Sequence, residues 1–169
     1  MFKTFAIAAA LAVVASSACA AGAKGFYGGL DVGSTKIDNV DDSSASFGGV
    51  VGYGFNRYVA LEYGYRRLGR WDIHGGTYDG GTFTSTQMLF TVVGSYPLSQ
   101  ELDVYGRFGF NDMANESSAR GQSSTTDLSG SVYGVGLRYH FTPTISGRVE
   151  VQKPTVDSTN VNVGVVFKF

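Results

Sequence analysis

Eight stretches of this chain alternate between two kinds of residue, and one of the two rows carries no charge along its middle. The stretches are 25–35, 46–55, 58–68, 84–96, 102–112, 130–141, 144–153 and 160–169. One row runs through Phe26, Leu30, Val32, then Phe47, Val51, Tyr53, and so on to Val161, Val163, Val165, Phe167 and Phe169. Arg67 and Lys153 share its parity only at stretch ends, where a long cation reaches water. The other row holds Asp31, Glu62, Arg66, Asp103, Arg107, Arg138, Arg148, Glu150 and Lys168, interleaved with glycines such as Gly48, Gly52, Gly134, Gly136 and Gly164. Period two means strands, and after residue 24 no 3.6-residue pattern competes with it.

Alternation alone does not say which row faces out. In a soluble sandwich or a lipocalin-like barrel the apolar row fills the core. Two features favour the reverse. Glycine in the charged row suits the crowded interior of a small barrel better than a solvated surface. The apolar row is aromatic towards its two ends, at Tyr96, Tyr139, Phe141, Phe167 and Phe169 on one side and Tyr65, Phe110 and Tyr133 on the other. Two aromatic girdles around an aliphatic band suit a bilayer, and each stretch is near the 9–11 residues a tilted crossing strand needs.

The connections alternate as well. Those around Asn56-Arg57, from Pro97 to Glu101 and at Thr142-Pro143 are short. The polar segments KIDNVDDSSAS, GRWDIHGGTYDGG, NESSARGQSSTTDLSG and KPTVDSTN read as longer loops. The expected fold is all-β: an eight-stranded antiparallel up-and-down transmembrane β-barrel. The short turns and both chain termini would face the periplasm and the long loops the outside. The final strand must then pair with the first, around Phe26 to Thr35, because hydrocarbon tolerates no open edge.

Residues 1–20 read as a cleaved signal peptide, leaving one barrel domain over 21–169. Lys3 supplies the positive start, Phe5 to Ala15 the apolar run and Ala18-Cys19-Ala20 the cleavage pattern. Cys19 also admits a lipoprotein signal, which wants a large apolar residue where Ser16 stands. Without the leader the chain has no cysteine and 12 basic against 14 acidic residues, which points away from nucleic acid.

The blocks FNRYVALEYGYRRLG (55–69), YPLSQELDVYGRFG (96–109), LRYHFTPTISGRVEVQ (137–152) and VNVGVVFKF (161–169) resemble, in order and spacing, the eight-stranded transmembrane domain of the outer-membrane protein A family. The resemblance implies an integral protein of the Gram-negative outer membrane. Many members carry a further peptidoglycan-binding domain, and this sequence stops at the last strand. Members also hold interior ion pairs. Glu62 and Arg148 match an interior carboxylate and arginine, while Val93 and Arg138 stand where members can have a lysine and a glutamate.

The nine inward charges read either as a plug of paired side chains or as a narrow gated pore using Glu62, Arg107, Arg138 and Arg148. A wide channel needs about twice as many strands. The loops look acidic, and Trp71, Tyr78 and Phe83 are the anchors a host or surface ligand would use. Asp38, Asp41 and Asp42 match no calcium-loop spacing. Only His74 and His140 could act as general bases, and no zinc pattern, phosphate loop or nucleophile elbow accompanies them. No catalysis, cofactor or metal is expected. The expected role is structural, in the integrity of the envelope. The expected partners are outer-membrane lipid, lipopolysaccharide and the assembly machinery, for which Val165, Phe167 and Phe169 resemble the recognised terminal signal.

Overall fold

A computed structural model describes residues 24–37, 43–73, 81–119, 122–155 and 157–169. The strands are β1 (Gly25–Ile37), β2 (Ser43–Gly54), β3 (Val59–Ile73), β4 (Gly81–Pro97), β5 (Leu102–Ala119), β6 (Gln122–His140), β7 (Ile145–Thr155) and β8 (Ser158–Lys168). They form a closed barrel in sequence order, each antiparallel to its neighbours. β1 and β8 seal it, in register from Tyr27 opposite Lys168 to Ile37 opposite Ser158. The expected signal peptide lies outside the described residues.

Both rows fall where the alternation put them. Leu30, Phe108 and Phe110 project outward and are exposed, as are Val135, Val149 and Val163. The inward row is buried along the middle of the barrel, with Glu62 and Asn160 at 0 % exposure, while Asp103, Arg138 and Lys168 at the turn end are half-buried. An exposed apolar band of this extent is stable only against lipid. Aromatic rings gather at the end carrying the short turns. Phe26 and Tyr53 meet edge-on at 4.9 Å, as do Tyr53 with Phe55 and Tyr139 with Phe141, both at 5.3 Å. Towards the other end Arg67 lies 6.0 Å from the Phe47 ring, a cation resting on an aromatic at the edge of the band.

The three short turns share one construction. In each, a side-chain oxygen accepts from the two backbone amides that re-enter the next strand. Asn56 Oδ1 takes the amides of Tyr58 and Val59 at 2.7 and 2.9 Å. Ser99 Oγ takes those of Glu101 and Leu102, and Thr142 Oγ1 those of Thr144 and Ile145. Asn, Ser and Thr suit this job because their short side chains mimic a backbone acceptor. This turn end is where the expected bounds fit best.

At the opposite, loop end the expected strands were too short. β5 and β6 continue to Ala119 and from Gln122, so most of NESSARGQSSTTDLSG is paired strand. KPTVDSTN is likewise strand except near residue 157. Alternation disappears there because both faces are polar once the strands leave the apolar band. Pro154 is tolerated in β7 because the pairing with β8 shifts between Gln152 and Thr155; its carbonyl accepts from Asn111 Nδ2 at 2.9 Å.

Candidate functional site

The interior is organised by strand number. Of the nine inward charges, Asp31 is on β1, Glu62 and Arg66 on β3, Asp103 and Arg107 on β5, and Arg148 and Glu150 on β7. The even strands β2, β6 and β8 supply glycines opposite them. Tyr27, Gly52 and Glu62 are in register across β1–β2–β3, and Tyr105, Gly136 and Glu150 across β5–β6–β7. In each triple the tyrosine lies over the glycine and donates its hydroxyl to the carboxylate, at 2.9 Å and 2.8 Å. A Cβ on Gly52 would run into the Tyr27 ring. The two triples are four strands apart, on opposite walls of the eight-stranded barrel. Asp31 uses the same device twice, reaching Arg66 over Gly48 and Arg148 over Gly164. Strands two apart are separated by about 9.5 Å, a gap that an arginine and an acid can close only if nothing stands between them.

These contacts join six side chains into one line of alternating sign: Arg66, Asp31, Arg148, Glu62, Arg107, Glu150. Arg66 grips Asp31 through both Nε and Nη2, at 3.0 and 2.9 Å. Arg148 reaches Asp31 at 2.9 Å and Glu62 at 3.4 Å. Arg107 reaches Glu62 at 2.5 Å and Glu150 at 3.0 Å. The last contact is a charge pair whose angle is too bent for a hydrogen bond. Three bases and three acids balance, and all six side chains are at most 1 % exposed. An unbalanced charge so deep would cost several kcal/mol, on the order of a buried pair broken.

Towards the loop end the line continues as amides. Arg66 reaches Asn160, and Gln152 joins Asn160 to Gln87, while Asn160 also donates to Thr35 and Ser46. Sequence parity held these residues too, but polar uncharged side chains were passed over beside the charges. Tyr27 and Tyr105 were missed for another reason: tyrosine also decorates the lipid face, so only its parity marks it as interior.

A family model described as the outer membrane protein beta-barrel domain matches residues 6–169. The chain belongs to this family. It is a protein of the bacterial outer membrane. Outer membrane protein A of Klebsiella pneumoniae is 32 % identical over 127 residues, which span 75 % of this chain and 34 % of that protein. The chain thus spans about a third of the length of that relative. Two solved barrels show the same fold. Neisserial surface protein A has a TM-score of 0.65 at 17 % identity, covering 85 % of this chain and 97 % of that one. Ail of Yersinia pestis, solved in complex with the heparin analogue sucrose octasulfate, has 0.60 at 16 %, covering 86 % and 97 %.

Within this outer-membrane barrel the remaining expected residues are dispersed. Val93 is buried and stands opposite Arg107, so the base facing Glu62 comes from β5. Arg138, Asp103 and Lys168 lie apart from the six-membered line, at the turn end. Asp103 Oδ2 meets His140 Nε2 at 2.8 Å, and His140 Nδ1 meets Ser146 Oγ at 2.8 Å. His140 and Ser146 are cross-strand partners, and the sequence reading overlooked the serine. At the loop end Trp71 and Phe83 are not in a loop but paired on β3 and β4, past the extra residue Leu68; Tyr78 and His74 lie outside the described residues. Lys36, Arg70, Asp72, Glu116 and Asp127, within segments read as loops, are on strands. Val165 and Phe167 face outward on β8, and the Phe169 amide donates to the Phe26 carbonyl at 2.9 Å.

Proposed function

We propose that this barrel serves the outer membrane structurally, as a closed and plugged span without enzymatic activity. The observation that carries the reading is the charge-balanced line from Arg66 to Glu150. Each of its ion pairs crosses the interior from one odd strand to another, so the line braces the walls that a pore would have to part. Asp103, His140 and Ser146 resemble a catalytic set by residue type. His140 and Ser146 face each other across the hairpin next to the Thr142 turn, Asp103 reaches them from β5, and we read the three as a clasp on that hairpin. Cells lacking the protein should take up more of a dye that an intact outer membrane excludes, and the wild-type gene should reverse this. Unchanged uptake would contradict an envelope role.

A second reading, surface adhesion, is favoured by the loop end. β3 and β4 have 15 and 17 residues and β5 and β6 18 and 19, beyond the 9–11 that a crossing requires, so these two hairpins stand clear of the bilayer. The ligand bound to Ail shows that a barrel of this fold can hold a sulfated compound. In this chain the Trp71–Phe83 pair would be the contact point. Shortening the β3–β4 hairpin should then reduce attachment to host cells, and unaltered attachment would remove this reading.

A further inference from the structure

We propose that the turn end of the barrel holds a binding site for a small oxyanion, a carboxylate or a phosphate group, centred on Arg138 and Lys168. These are the two inward charges that break the odd-strand rule, lying on β6 and β8. A cavity of about 230 Å³ opens there, lined by both residues together with Arg57, His140 and Asp103. One water requires ~10–15 Å³ on the same measure, so the space admits an anion with part of its hydration.

The lining holds three cations, Arg57, Arg138 and Lys168, and one carboxylate, Asp103. The six-membered line beneath it is neutral within itself. The carboxylate in the lining, Asp103, is engaged with His140. Arg138 stands in register between Asp103 on β5 and Arg148 on β7, and cannot join the line without meeting the like charge of Arg148. Its guanidinium lies instead 5.1 Å from the Tyr105 ring and 6.0 Å from the Tyr27 ring. Both tyrosine hydroxyls donate elsewhere, to Glu150 and Glu62. Arg138 Nε and Nη2 are buried without an acceptor among the described residues. A planar donor fork, held between two rings and lacking its acceptor, matches the two oxygens of a carboxylate or phosphate. The same two tyrosines that brace the plug thus hold a cation at the mouth of the cavity.

The test uses the full barrel, isotope-labelled and folded in zwitterionic detergent. Acetate and inorganic phosphate are titrated separately at constant ionic strength against chloride, with Arg138, His140 and Lys168 followed by NMR. The shifts at these residues should saturate, and R138Q should weaken the binding about tenfold, the loss of one charge-assisted hydrogen bond. K168Q, at the mouth, should weaken it as well and carries the test if R138Q does not fold. Saturation by acetate alone assigns a carboxylate ligand, by phosphate alone a phosphate, and by both an oxyanion site with no preference. Shifts that grow linearly with either anion, or saturation that survives both substitutions, would overturn the proposal.

Discussion

Glu62 is the residue on which most of the interior depends. It accepts from Tyr27 and pairs with Arg107 and Arg148, at 0 % exposure. Replacing it by glutamine keeps the shape and removes the charge that two arginines share. Removing one partner of a buried pair costs about 3–5 kcal/mol, because the other charge stays behind. E62Q should therefore lower the unfolding free energy in urea by that order, whereas R67Q, at the edge of the lipid face, should change it by less than about 0.5 kcal/mol. Equal effects would mean that the interior is wet. At this scale parity alone puts the nine charges in one row. Who pairs with whom was not legible, because pairing depends on register and on glycines that let side chains pass over an intervening strand. Arg138 shows the limit: it shares the parity of Arg107 and Arg148, yet only the register reveals that it opposes another arginine.

The strands were legible wherever their two faces meet different solvents. From Val59 to Tyr65, or from Val161 to Phe167, lipid selects one row and the interior the other. Beyond the lipid both rows are polar, so the paired ends of β5 and β6 looked like loop. Leu68 adds a second difficulty, since an extra residue in β3 breaks the period, and Gly69 beside it does not stand out in a chain so rich in glycine. β8 carries the element-scale prediction. Its outward residues Val165 and Phe167 lie against lipid, and the Phe169 amide extends the seal to β1. Deleting Phe169 should reduce the amount of barrel reaching the outer membrane, measured by fractionation and by the mobility of the unheated protein on gels. Wild-type levels of the shortened chain would show that assembly does not read this residue.

Taken whole, the barrel is a set of layers stacked along one axis. Amides lie towards the loop end, the alternating charge line in the middle, and a cavity lined by Arg57, Arg138 and Lys168 at the turn end. Closure of β1 on β8 ties the layers together, since Asp31 on β1 bonds to β7 across the seal and to β3 on the other side. The fold and the outer-membrane location were readable from alternation, glycine placement, the aromatic girdles and the family resemblance. The division of the interior into a neutral plug and a cationic mouth was not, because both halves share one parity. The most direct test of the plug is electrical. Protein shown to be folded by its unheated gel mobility is inserted into planar bilayers. The account predicts silent membranes, with no discrete current steps. Reproducible steps whose size changes in E62Q would contradict it.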